Sequence, residues 1–446
     1  MPDLRAAVAA AMPSVYRDLE ALVRIESVSA DPARHSQVTQ SAAATAELFG
    51  AEGFEVDIVA EGGMPAVIAR KPAPPGAPTV LLYAHHDVQP EGDHEAWESP
   101  PFEPTRRQAR LFGRGAADDK AGIAAHLAAV RAHGDSLPVG VTVFVEGEEE
   151  IGSPSLSRLL ADHRDKLDSD VIVIADSTNW DIGTPALTTS LRGLVDCLVE
   201  VRTLDHAVHS GMWGGVVPDA VTALCRLIAT LHDDEGNVAV EGLATGAAAD
   251  LTYPEDRLRA EAGVIDGVQL IGSGTLVDRL WTRPAIAVIG FDATRVVDAS
   301  NTLLPVARAQ ISLRISPSDD AEAAFVKLRD HLTSHAPWGA QVSVRAGDLG
   351  RPFAIDAEGP AYDAAREAFR DAWDGTAPVD IGVGGSIPFI AEFADIFPDA
   401  SILVTGVEDP DTRAHGANEG LHLAEFERVC LAEALLLERL ARLGGR

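Results

Sequence analysis

Cysteine is scarce: Cys197, Cys225 and Cys430 are the only three, widely spaced and odd in number. No Cys-x-x-Cys pair occurs, so neither a zinc ribbon nor a disulfide framework is supported, and a reducing, cytoplasmic compartment is expected. Basic residues are also short, 36 against 68 acidic ones, for a formal charge of −32. Such an excess repels phosphate backbones and anionic surfaces, so neither nucleic acid nor membrane is an expected partner. No apolar run approaches the roughly 18 residues of a membrane span. The alanine-rich N-terminus reads as an amphipathic helix, because Val8, Met12, Val15, Leu19 and Leu22 recur at helical spacing with charged residues between them. Gly-x-Ser-x-Gly, His-Glu-x-x-His and the phosphate loop Gly-x4-Gly-Lys-Ser/Thr are all missing. Gly382–Ile387 lacks the third glycine of a dinucleotide fingerprint and follows no clear strand.

What is present is enough apolar material, 46% of 446 residues, for sizeable cores. Short apolar runs at Pro78–Ala84, Val141–Val145, Val171–Ala175 and Ser401–Val404 have strand length. Helical patterns lie at Lys120–His133, after Ser153, after Ala361 and from Leu421 to Leu443. This alternation predicts an α/β fold with a mostly parallel central sheet flanked by helices. Leu191–Val201 and Ala307–Ile315 instead look like alternating strands, with a helix at Asp219–Leu231 between them and a polar, glycine-rich stretch at His232–Gly274. The expected division is a catalytic domain in two parts, 1–188 and 350–446, with an inserted α+β lid and dimerisation domain at 189–349.

Acids and histidines fall at the ends of the apolar runs: His85-His86-Asp87, Glu146-Gly147-Glu148-Glu149-Glu150, Asp176, and Asp409, Asp411 and His415. Sites in open α/β sheets form at the carboxyl ends of strands, so these segments converge on one rim. Carboxylates gathered there repel one another unless cations neutralise them. Nitrogen and oxygen donors without thiolates suit Zn²⁺, Mn²⁺ or Co²⁺. Singly each signal is weak, since a lone histidine after a strand is more often structural and an acidic run is usually a solvated loop. Extended alternation turns His85 and Asp87 to one side and His86 to the other, and makes Glu149 and Glu150 diverge. One glutamate can then hold metal while the other serves as a base. Gly113–Lys120 is a glycine-rich turn leading into a helix.

These segments closely resemble the metallopeptidase family of aminoacylases, glutamate carboxypeptidase and carnosinase-type dipeptidases. YAHHDVQP (83–90), GRGAADDKAG (113–122), EGEEEIGS (146–153), Asp176 and AHGANE (414–419) match five ordered motifs, and the similarity spans essentially the whole chain. The resemblance implies two divalent ions bridged by Asp118, Zn²⁺ first and Mn²⁺ or Co²⁺ as alternatives. His85 and Asp176 complete one site; Glu150 and His415 complete the other. It implies Glu149 as general base, Asp87 as the partner of His85, and a cis peptide at Asp118–Asp119. His209 is expected to act in catalysis from across a homodimer formed through the inserted domain. Asn301, Thr302, Arg314, Gly385 and Ser386 are expected to contact substrate, with Arg314 on a terminal carboxylate. The long insertion before WTRPAIAVIGF (281–291) and the Gly-Gly-Ser-Ile-Pro loop at 384–388 resemble the dipeptidase branch. That branch usually carries Arg-Glu where this chain has Gly382-Val383.

The expected reaction is hydrolysis of dipeptides or other small peptides with a free C-terminus, by a metal-activated water and a glutamate base. An N-acyl-amino-acid amidohydrolase is the alternative, and a non-catalytic metal-binding scaffold is a third reading.

Overall fold

The computed structural model describes residues 3–246, 251–385 and 388–444. It divides into two compact units: Met1–Thr189 with Ile355–Ile381 and Glu392–Arg446, and Ser190–Ala354 with Gly382–Ala391.

The first unit is built on a mixed sheet. Four parallel strands form its centre, in the order Gly140–Glu146, Thr79–His85, Val171–Ile174 and Ser401–Val404. Antiparallel strands extend it on both sides: Ala66–Lys71 and Glu55–Val59 beyond one edge, Ala186–Leu191 beyond the other. The central strands are almost wholly buried, which is why they read as continuous apolar runs. Helices Leu4–Val23, Lys120–His133 and Leu423–Leu440 pack on one another, and Lys120–His133 also packs on the strand Thr79–His85. Leu4–Val23 starts at Asp3, whose carboxylate caps it, and buries the stripe Val8, Met12, Val15, Leu19 and Leu22. Lys120–His133 starts at Asp119, which accepts the Gly122 N–H at 3.2 Å. Midway along it, buried His126 joins Glu433 at 2.9 Å to the Tyr83 carbonyl at 3.0 Å.

The second unit has a four-stranded antiparallel sheet in the order Ala285–Asp292, Val306–Ile315, Gly193–Arg202 and Gln341–Gly350. Val195, Cys197, Val199 and Val201 alternate into its core, beneath helices Ala220–Ala229 and Ala321–Ser334.

Three local readings need correction. Leu191–Val201 is two strands, broken at Arg192, whose guanidinium donates to the Gly384 carbonyl. The stretch Gly382–Ile387 does adjoin a strand, Val379–Val383, whose last two residues are Gly382 and Val383. Glu149 and Glu150 lie on a one-turn helix, Glu149–Ile151, and not on extended chain. None of the three cysteines is paired, and among the described residues no helix is long and apolar enough to cross a membrane.

Candidate metal centre

All the candidate metal ligands leave the carboxyl ends of the parallel strands or the turns beside them. His85 closes its strand; Asp176 follows Val171–Ile174; Glu149 and Glu150 follow Gly140–Glu146; His415 lies in the loop after Ser401–Val404. Asp118 comes from the turn that precedes the helix Lys120–His133, and the peptide linking it to Asp119 is cis.

The donor atoms gather into two groups, His85 with Asp118 and Asp176, and Asp118 with Glu150 and His415. Asp118 divides its two oxygens between them. Its Oδ1 lies 3.1 Å from His85 Nε2, and its Oδ2 lies 3.0 Å from His415 Nε2. His85 Nε2 is also 4.0 Å from Asp176 Oδ2, and His415 Nε2 is 3.4 Å from Glu150 Oε2. His85 Nδ1 sits 3.0 Å from the Asp87 carbonyl, which can only accept, so Nδ1 carries a proton and Nε2 is aimed at Asp118. The Asp87 carboxylate, 3.5 Å from the same Nδ1, accepts the N–H groups of Glu149 and Glu150. His86 turns away, with Nε2 2.8 Å from the Pro65 carbonyl. His415 is the exposed member of the set and holds a left-handed φ of 62°.

The electrostatics fit cations. Burial, and then the charge of Asp176, hold the Glu149 carboxyl well above the ordinary range. Burial and the charge of Asp118 push Glu150 up to about 8, and burial pushes Asp176 up to about 6. Burial alone would lower the His85 imidazole, yet its contacts with Asp118 and Asp87 raise it well above its usual value. Crowded, desolvated carboxylates around two aimed imidazoles form a site that divalent ions would relieve, and its all-nitrogen-and-oxygen donors suit Zn²⁺, Mn²⁺ or Co²⁺.

Three neighbours escaped the sequence reading. Gln89 donates its backbone N–H at 2.9 Å and its side-chain amide at 2.8 Å to the Glu150 carboxylate. Glu419 accepts the N–H groups of the turn that carries Asp118. Glu408 is held by its carbonyl to Asn179, just beyond Asp176, and Gly406 lies so close to the Ser177 carbonyl that a side chain there would collide with it. Burial and the charges of Asp118 and Asp176 push the Glu408 carboxyl well up. Asp409, by contrast, is spent on Arg110, and Asp411 is exposed.

In the second unit His209 pairs with Thr302 across a two-stranded ribbon, and the Asn301 carbonyl accepts the Ser210 N–H at 2.9 Å. His209 is exposed, and its Nδ1 accepts the Gly211 N–H at 3.0 Å. Arg314 stands on the strand Val306–Ile315 opposite Ala285 and Leu194. Gly385 lies in a bend, and Ser386 falls outside the described residues.

Residues 81–439 match the model of peptidase family M20/M25/M40. The chain belongs to that family. It is 39% identical, over 81% of its own length and 81% of the relative's, to the cysteinylglycine-S-conjugate dipeptidase of Corynebacterium striatum. It is 29% identical to the Beta-Ala-His dipeptidase of Rattus norvegicus, covering 80% of this chain and 76% of that one. The structure of human carnosine dipeptidase 1 superposes with a TM-score of 0.83 at 24% identity, over 98% of both chains, which establishes the shared fold. As a member of this peptidase family on its dipeptidase branch, the protein is a hydrolase.

Proposed function

We propose that the protein is a dinuclear metal-dependent dipeptidase, hydrolysing dipeptides or other small peptides with a free C-terminus. The observation that carries this reading is the division of the Asp118 carboxylate between two donor groups. His85 and Asp176 would hold one ion with it, and Glu150 and His415 the other. Zn²⁺ is the first choice for these donors, ahead of Mn²⁺ and Co²⁺. Bound there, two such ions lower the pKa of a water and polarise the scissile carbonyl.

The chain's own residues then do the proton work. Glu149 belongs to neither donor group, and the Asp87 carboxylate fixes its turn. It takes a proton from the water as the water oxygen bonds to the carbonyl carbon, and returns it to the amine as the C–N bond breaks. By the family resemblance, His209 stabilises the oxyanion and Arg314 pairs with the substrate's terminal carboxylate, while Asn301, Thr302, Gly385 and Ser386 make further contacts. Glu408 stands among the acids of the centre; with ions bound to offset their charge it would ionise and could meet a free ammonium, which favours dipeptides over N-acyl amino acids.

The edge strand Ala285–Asp292 exposes Val288, Ile289 and Phe291, which supports a homodimer formed through the second unit. An exposed, unpaired Cys225 is consistent with a cytoplasmic, reducing setting.

Chelator-stripped protein given back Zn²⁺ or Mn²⁺ should cleave Ala-Leu and leave N-acetyl-Leu largely intact. Cleavage of N-acetyl-Leu alone would move the enzyme to the amidohydrolase reading, and no cleavage of either would return the non-catalytic one.

A further inference from the structure

Glu419 is completely buried and lies one residue before the short strand Gly420–His422, which pairs with Arg110–Phe112. Its carboxylate is saturated with donors. Oε2 accepts from Arg114 Nη1 at 2.6 Å and from the Gly115 N–H at 3.1 Å; Oε1 accepts from the N–H groups of Ala117 at 2.9 Å and Asp118 at 3.1 Å. Its backbone carbonyl takes the Gly113 N–H at 3.0 Å. The turn that delivers Asp118 is therefore wrapped around one side chain from another part of the chain.

Arg114, equally buried, extends the link. Its Nη2 reaches the Pro90 carbonyl at 3.3 Å and the Gly416 carbonyl at 3.2 Å. Pro90 follows Gln89, which clamps Glu150, and Gly416 follows His415. One buried ion pair thus ties the turns that supply Asp118 and His415 to the segment whose Gln89 holds Glu150. On the far side of Asp118, Asp119 accepts the His85 N–H at 3.2 Å, so the shared carboxylate is braced from both directions.

We propose that Glu419 is the positioning residue of the metal centre, holding Asp118 so that each of its oxygens serves one donor group, with Arg114 carrying the same restraint to the His415 loop and, through the Gln89-Pro90 segment, to Glu150. This rests on the reading of Asp118 as the shared ligand. A glutamine at 419 has the same shape but only one accepting oxygen. Whichever way its amide is turned, its NH₂ faces two of the four donors. Groups that orient ligands from behind typically govern metal affinity by about 10–100-fold.

The test is metal binding itself, independent of turnover. Zn²⁺ affinity is measured by chelator competition, and the visible absorption of the Co²⁺ form is recorded, for wild type, Glu419→Gln and Glu419→Asp. Circular dichroism checks the fold of each. Glu419→Gln is expected to bind both ions about 10–100-fold more weakly with a shifted Co²⁺ spectrum, and Glu419→Asp, which keeps both accepting oxygens, to recover part of the loss. A folded Glu419→Gln with wild-type affinity and spectrum would overturn the proposal. If that variant does not fold, Arg114→Lys reads the same link, because a point charge cannot span Glu419 and the Gly416 carbonyl together. It is then expected to weaken metal binding, and wild-type affinity in Arg114→Lys would overturn the proposal. A wild type that binds fewer than two ions would instead refute the dinuclear reading.

Discussion

The carboxylate of Asp87 accepts the backbone N–H of Glu149 at 3.2 Å through Oδ1, while its Oδ2 accepts that of Glu150 at 3.1 Å. The same side chain lies against His85 Nδ1. One buried acid therefore fixes both the imidazole of His85, a candidate ligand, and the turn that presents Glu149, the proposed base. Asp87→Ala is expected to lower kcat/KM by about 10–100-fold, in the range found for such supporting groups. The two orphaned amides should also cost roughly 1–3 kcal/mol each in denaturant unfolding. Wild-type kinetics in the folded variant would remove Asp87 from the machinery.

Glu149 has a separate signature, because it belongs to neither donor group. Glu149→Gln is expected to lose about 10²–10⁴-fold or more in kcat while retaining both ions, as measured by turnover and by metal analysis of the same sample. Near-normal turnover would show that another group moves the proton, and loss of an ion would make Glu149 a ligand.

The crowded acids also set a pH dependence. Burial holds Glu150 near about 8 and Asp176 near about 6, above their ordinary values of 4.5 and 3.8. The folded, metal-free site thus keeps protons that the unfolded chain has already lost. By linkage, the contribution of these groups to stability falls as pH rises from about 4 to about 8. His415, raised to about 9, acts in the same direction, since its contribution is full below its unfolded value of 6.5 and is lost as pH rises through 9. Bound cations reverse this penalty, and they compete with protons for the same donors. The rise in melting temperature on adding Zn²⁺ to chelator-stripped protein should therefore be larger at pH 8 than at pH 6. An equal or smaller rise at pH 8 would contradict this picture of the site.

Glu408 is the residue that separates the two substrate readings. Glu408→Gln is expected to reduce kcat/KM for Ala-Leu by roughly 10–100-fold, the worth of about 1.5–3 kcal/mol for a hydrogen bond to a charged group. Any residual activity on N-acetyl-Leu should be unchanged, because that substrate has no ammonium. Equal losses on both would give Glu408 a purely structural role.

The central strands were legible because full burial on both faces leaves continuous apolar runs, and their ends announced His85, Asp176 and the glutamate pair. Glu55–Val59 and Ala66–Lys71 were not recognised; the first of them is half exposed, so no such run marks it. The turn at Glu149–Ile151 was misread as extended because the acids themselves carry no periodicity, and the restraint that shapes it comes from Asp87, distant in sequence. Glu419 and Glu408 were missed for the same reason: each matters through partners roughly 230 to 305 positions away. In Glu419 a signal was present, since it closes the AHGANE motif that supplies His415. In Gly382-Val383 the departure from the branch pattern was visible in sequence.

The most direct measurement is the number of ions bound per chain by wild type and by Asp118→Ala, read by native mass spectrometry after Zn²⁺ is returned to stripped protein. Two ions in the wild type, with both lost or both strongly weakened in the folded variant, are expected if one carboxylate serves two donor groups. A single ion in the wild type, or an Asp118→Ala chain that keeps two, would contradict a centre shared through Asp118.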